Sequence, residues 1–428
     1  MKNEIVRCIC TDMSVDGHGI ARSKDLVVFV KEMIPGETAD VRITAEKKNY
    51  AYGIVEAMIE GSPYRVTSEC PVAYKCGGCD LRHISYEGQL SFKKKLLENT
   101  FRSLDVTIED VVASPKKDHY RNKVQIPVKD GKAGFYRRYS HDIVEEEHCL
   151  LQFEGADELL KDTLEILREF KILEDIRHIF LRKGEGTGEV MLGIIVRRKD
   201  VPHTDDFARE ILTSHPDLTT IILNVNTRDD NVILGEEEII LYGPGVIRDI
   251  YDGITVEISL KSFYQVNHDQ MVNLYTKACS YLEEGESVLD LYSGIGTISL
   301  FAGRKAKEVI GVEIVRDAVS NAKRNAELNH MKNVSFFLDD AGSDMKKYLE
   351  GKDAVILDPP RKGISKALIS DLIESKIPKI VYISCNPATL QRDLELLKDA
   401  YDFDTVTPFD MFPHTVHTEC VVKLTRKG

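Results

Sequence analysis

From residue 287 onward, short apolar runs at 288–291, 308–312, 334–338, 354–357 and 379–383 alternate with amphipathic segments of helical period. Strands this apolar are covered on both faces, and a helix between successive strands makes neighbours run parallel. The pattern restricts this part of the chain to the α/β class, a doubly wound Rossmann-like sheet whose ligands gather at the carboxyl ends of the strands. Functional residues are therefore sought just after each run.

At 428 residues the chain exceeds one ordinary core. Alternating segments at 26–30 and 39–43, punctuated by Asp16-Gly17-His18-Gly19 and Pro35-Gly36, predict a small antiparallel β-barrel over 1–60. Alternation at 190–196 and 220–225, with a turn at Asp130-Gly131, predicts a central antiparallel α+β part over 61–259 that includes a helix near 93–103. A catalytic part is expected over 260–428. Nine unevenly spread cysteines favour reduced thiols or metal ligands over a disulfide framework. No apolar run approaches the roughly 18 residues of a membrane span, and no signal-like segment follows Met1-Lys2-Asn3-Glu4. The expectation is a cytoplasmic monomer with no membrane contact. A net charge of −13 does not exclude RNA, because binding depends on local patches. Residues 116–138 hold eight Lys or Arg against two Asp, and Lys93-Lys94-Lys95 is a second basic run.

The loop Asp290-Leu291-Tyr292-Ser293-Gly294-Ile295-Gly296 follows the first apolar run, and its glycines permit a tight turn and close approach to a ligand. Glu313 ends the next run, where an acidic side chain can accept hydrogen bonds from ribose hydroxyls. Ser299 replaces the third glycine of the dinucleotide fingerprint, which disfavours NAD. The loop resembles the first motif of class I methyltransferases, and that resemblance implies S-adenosylmethionine, with Asp339 or Asp340 near the adenine.

Cys385 follows the fifth run, and Asn386-Pro387 turns the chain away from the strand, exposing a sulfur able to act as nucleophile. Asp358 opens the rigid loop Asp358-Pro359-Pro360-Arg361. Amino-directed methyltransferases carry an aromatic residue where Arg361 stands, so a ring carbon is favoured as acceptor. Glu419, within His417-Thr418-Glu419 and before a terminal apolar run, is a candidate general base, with His417 able to orient it. Upstream, Gln265 could bond a flipped base or the cofactor, and Phe263 could stack on the base.

The motifs SFYQVN (262–267), DLYSGIGT (290–297), LDPPRKG (357–363), SCNPATLQRD (384–393) and HTE (417–419) together resemble the RNA uracil-C5 (5-methyluridine) methyltransferases. The resemblance implies a class I methyltransferase sheet, Cys385 as nucleophile toward uracil C6 and Glu419 as the base at C5. It also implies Gln265, Tyr292, Glu313 and Asp358, with the loop glycines Gly294 and Gly296, as contacts of S-adenosylmethionine. The Gly17-His18-Gly19-Ile20-Ala21 region resembles the TRAM domain, an oligonucleotide-binding-type (OB-like) barrel.

Cys70, Cys76 and Cys79, with Cys149 as the other cysteine of the central part, suit an iron-sulfur cluster or zinc. The spacing is similar to the 4Fe-4S site of many RNA uridine methyltransferases, so a structural cluster is expected, with zinc as the alternative. Barrel plus cluster resembles the family members that act on 23S ribosomal RNA; transfer RNA is the alternative substrate. Cytosine-C5 methylation, radical methylthiotransfer and a noncatalytic RNA-binding iron-sulfur module are the competing readings. The last is opposed by the intact Cys385, Glu419 and Asp358, and the radical reading by the cysteine spacing.

Overall fold

A computed structural model describes residues 2–24 and 26–428. Strands Ile5–Met13, Gly19–Ser23, Leu26–Lys31, Thr38–Glu46 and Tyr50–Glu60 close into a barrel in the order first, second, third, fifth, fourth. Its alternation is the cause: Val28 and Val30 face the barrel core with Val41 and Ile43, while Phe29 between them faces outward.

The central sheet runs Glu237–Tyr242, Leu218–Val225, Val190–Val196, Ile176–Lys183, Lys123–Lys129, Lys132–Ala133. The expected antiparallel α+β pairing holds for the other neighbours, but Val190–Val196 and Leu218–Val225 run parallel. The helix Thr204–Ser214 connects that pair as a crossover. One face packs under the helices Ala156–Glu169 and Thr204–Ser214. The other sends Phe180, Met191 and Ile195 into the catalytic core. Burial on both sides explains why these strands are nearly continuous apolar runs.

The C-terminal sheet orders Val334–Leu338, Glu308–Glu313, Ser287–Leu291, Ala354–Leu357, Lys379–Ser384, Glu419–Arg426, Thr405–Phe409 and Thr107–Ile108. The first five are parallel, as the alternation predicts. Glu419–Arg426 then runs antiparallel to Lys379–Ser384. Segments on either side of the central sheet join this core. The helix Tyr86–Phe101, capped by Ser85 and longer than expected, buries Leu97 and Phe101 against Leu390 and Leu394. The hairpin Val246–Tyr251 with Ile254–Ser259 buries Ile247, Tyr251 and Val256 beside Tyr275 and Ile298. Among the described residues no helix is long and apolar enough to cross a membrane.

Candidate active site

Strand direction gathers the site. Parallel strands bring Leu291, Glu313, Leu357 and Ser384 to one edge of the sheet. The antiparallel last strand begins at that same edge, and its register pairs Ser384 with Cys420, setting Glu419 beside Cys385. Thiol, base candidate and Asp358 thus meet although they are far apart in sequence.

On the cofactor side, the backbone N–H groups of Tyr292 and Ser293 both donate to the Val312 carbonyl (3.0 and 3.1 Å). Tyr292 is held at φ +68°. The Glu313 carboxylate accepts from the Gly294 N–H at 3.0 Å and the Val315 N–H at 2.9 Å. It therefore braces the glycine loop and keeps lone pairs for hydroxyl donors. The two loop glycines do different things. At Gly294 (φ +55°) a Cβ would meet open space, whereas at Gly296 (φ +87°) it would lie 2.5 Å from the Phe336 ring. Gly296 serves packing of helix Thr297–Ala302 on the sheet, while Gly294 leaves room for a ligand.

Asp290, which the sequence reading left without a role, is wholly buried. Its carboxyl accepts a hydrogen bond from Ser299 Oγ, and among the described residues its Oδ1 has no partner. Burial pushes it up to about 8. Asp358 rises to about 7 through burial. Glu419 rises to about 8 through burial and the nearby Asp358, with Arg361 opposing, and its Oε2 is likewise unpartnered among the described residues. Cys385 is pushed up to about 11 by burial and by Glu419 and Asp358, again opposed by Arg361. This concentration of acids against one guanidinium suits a cationic ligand such as a sulfonium. An acid inside an apolar run was the overlooked signal for Asp290.

Cys385 is half-buried and lines a cleft with Val15 and Asp16 of the barrel, Thr100, Arg361 and His417. Asn386 fixes the loop: its Nδ2 donates to the Arg361 carbonyl at 3.0 Å, and its Oδ1 accepts from Ala388 N–H at 3.2 Å, capping helix Pro387–Leu397. Gln265 is buried, and its backbone carbonyl accepts from Asn122 Nδ2 at 3.0 Å. Phe263 is 65% exposed. His417 lies 3.4 Å from Arg361 Nη2 and edge-on to Phe412, with no hydrogen bond to Glu419 among the described residues. Asp339 pairs with Lys347 at 2.7 Å and accepts from Tyr348 OH at 3.1 Å, while Asp340 is exposed.

In the basic run Lys93-Lys94-Lys95 the first lysine is wholly buried, while the other two stay partly exposed. Each lysine has an acidic partner: Asp410, Asp110 and Asp12 respectively.

Cys70, Cys76, Cys79 and Cys149 line one cavity whose wall includes Val72, Phe135 and Leu151. Gly78 N–H donates to Cys76 Sγ and Arg82 Nε donates to Cys79 Sγ, both at 3.3 Å. Among the described residues no three of these or other His, Cys, Asp or Glu side chains already converge as a ready site for a metal ion. The remaining cysteines, Cys8, Cys10, Cys279 and Cys420, are buried in the cores.

The tRNA (Uracil-5-)-methyltransferase family matches residues 85–427, and the TRAM domain matches residues 1–55. The chain is 42% identical to an uncharacterized RNA methyltransferase of Bacillus cereus, over 99% of this chain and 97% of that one. A relative of the same description from Halalkalibacterium halodurans is 40% identical over 100% and 98%. The solved Pyrococcus abyssi tRNA (uracil-54, C5)-methyltransferase, in complex with S-adenosyl-L-homocysteine, has a TM-score of 0.81 at 30% identity, covering 98% of this chain and 100% of that one. Fold, site and relatives define the class, an S-adenosylmethionine-dependent RNA methyltransferase. Within it, the chain belongs to the tRNA (uracil-5-)-methyltransferase family.

Proposed function

We propose that the protein methylates C5 of a specific uridine in folded RNA through a covalent bond between Cys385 and uracil C6. The observation that carries this reading is the antiparallel last strand, whose register seats Glu419 beside Cys385 and Asp358. Once its proton has left to solvent, the Cys385 thiolate adds to C6, and the displaced electron pair makes C5 nucleophilic. Bound S-adenosylmethionine supplies the methyl group that C5 takes up. Tyr292, Gly294, Glu313, Asp358 and Gln265 hold it in this reading, with Gly296 letting the loop pack closely enough to do so, and the acidic pocket favours its positive charge. Glu419 then removes the C5 proton. The electron pair of that C–H bond restores the C5–C6 double bond and expels the Cys385 thiolate. Phe263 stacks on the uracil, which must leave its helix or loop to reach the cleft at a cost of a few kcal/mol.

The barrel (1–60) and the central part (61–259) recover that cost by gripping flanking RNA, while 260–428 carries the chemistry. Val15 and Asp16 in the wall of the Cys385 cleft support the barrel's share. We take 23S ribosomal RNA as substrate, because a barrel together with the four-cysteine set resembles the members that act on it. Transfer RNA is a second reading, favoured by the name of the Pyrococcus abyssi neighbour, whose match extends over the barrel as well. Labelled methyl transfer to each RNA, followed by nucleoside analysis, decides between them. 5-Methyluridine in 23S RNA supports the assignment, the same product in transfer RNA alone moves it, and 5-methylcytidine contradicts the uracil reading.

Cys70, Cys76, Cys79 and Cys149 hold a 4Fe-4S cluster in this proposal. Four thiols on one largely apolar cavity, with N–H donors aimed at two sulfurs, support it. Zinc, the second reading, would draw all four sulfurs onto one ion at about 2.3 Å. Iron, sulfide and zinc analysis of anaerobically purified wild type and Cys149→Ala tests the choice. Cysteines that are unpaired by disulfides among the described residues are in keeping with a reducing, cytoplasmic setting, and we take the protein to be monomeric.

A further inference from the structure

The segment 410–418, which leads into Glu419, is a strap held from outside the catalytic sheet. Lys93, wholly buried, donates from Nζ to Asp410 Oδ1 at 2.5 Å and to the Phe412 carbonyl at 3.2 Å. Gln89 Oε1 accepts from the His414 N–H at 2.9 Å, and the strap turns there at φ +65°. Tyr120 OH donates to the Pro413 carbonyl and Asn267 Nδ2 to the Met411 carbonyl, both at 3.2 Å, and further ties, nearest to Glu419, come from the residues that follow Cys79. The N–H groups of Asp80 and Leu81 both donate to the His414 carbonyl, at 2.8 and 2.9 Å. The Val416 N–H donates to Asp80 Oδ2 at 3.1 Å, and Arg138 engages Asp80 Oδ1. Val416 also packs on Leu81 and Ile84.

Taking Glu419 to be the base, as above, we propose that Asp80 is a positioning residue for proton abstraction from C5. Its carboxylate captures the strap three residues before Glu419 and ties the base to the four-thiol site. A carboxylate accepting a backbone N–H and a guanidinium is a rigid brace, and it is far stiffer than an exposed loop would be. Loosening it moves Glu419 relative to C5 and leaves Cys385, in a loop after another strand and held there by Asn386, in place. The defect is therefore specific: the covalent bond forms and the methyl group transfers, but resolution of the adduct slows.

The test uses full-length Asp80→Ala, Asp80→Asn and Glu419→Gln with uridine RNA and S-adenosylmethionine. Denaturation-stable protein–RNA adduct, turnover and trapping on 5-fluorouridine RNA are followed in parallel. Asp80→Ala should accumulate methylated adduct and lose turnover by about 10-fold or more, while trapping on 5-fluorouridine RNA stays near wild type. Asp80→Asn keeps an oxygen for the Val416 N–H and should recover most turnover. If the alanine variant does not fold, Asp80→Ser, too short to span to Val416, carries the same expectation. Wild-type turnover without adduct in Asp80→Ala, or equal loss of trapping and turnover in Asp80→Ala and Asp80→Ser, overturns the proposal. If Glu419→Gln accumulates adduct and Asp80→Ala does not, only the brace is wrong. If Glu419→Gln turns over normally, the base assignment falls and the brace with it.

Discussion

Burial makes the charge of each acid in this pocket depend on pH near neutrality. Asp290, pushed up to about 8, keeps its proton in the folded protein between about pH 4 and 8, where an unfolded Asp with a value near 3.9 has lost it. The native state then binds more protons, so this group's contribution to stability is full below about pH 4 and fades as pH rises toward 8. Asp290→Asn mimics the protonated acid without that penalty. Its melting temperature relative to wild type should rise from pH 5 to pH 8 in scanning calorimetry. A difference that shrinks with pH contradicts this account. Cys385, Asp358 and Glu419 are legible in sequence because each is a polar residue at the border of an apolar run. Asp290 is not, because it sits within one. Lys93 misleads for the opposite reason: its neighbours Lys94 and Lys95 are partly exposed ion-pair partners, and nothing local marks the middle of a helix as facing Asp410.

At the scale of elements, close helix-on-sheet packing shapes the cofactor loop. A Cβ on residue 296 collides with Phe336, and the backbone there has positive φ. Gly296→Ala should therefore lose roughly 1–3 kcal/mol of stability and weaken S-adenosylmethionine binding by calorimetry. Gly294→Ala meets no neighbour and should cost less stability. Equal melting temperatures for the two variants would contradict the division of labour. The strap makes a second element-scale prediction. Lys93→Met leaves Asp410 buried without its cation and should cost about 3–5 kcal/mol in denaturant unfolding, most of it recovered when Asp410→Leu is added. Full stability of the single variant would show that the pair carries no weight. The five parallel strands are readable from alternation alone. The direction of the last strand is not, since periodicity is blind to orientation, and that direction is what brings Glu419 to Cys385.

Across the whole molecule, three sequence blocks interlock more than their order implies. Helix Tyr86–Phe101 and strand Thr107–Ile108 complete the C-terminal sheet and core, the hairpin 246–259 pads its other side, and barrel residues border the Cys385 cleft. Such long-range packing leaves no local trace, so residues 61–259 read as one continuous part although their ends are built into the catalytic core. The barrel, by contrast, is a local structure of short alternating strands and is visible residue by residue. The proposed covalent event is isolated by 5-fluorouridine, in which fluorine replaces the proton assigned to Glu419. Incubating wild type and Cys385→Ala with 5-fluorouridine RNA and S-adenosylmethionine, then mapping any denaturation-stable complex by peptide mass spectrometry, is the most direct test. The account predicts a complex through Cys385 in wild type and none in the variant. Equal trapping by Cys385→Ala, or a link through another residue, would contradict it.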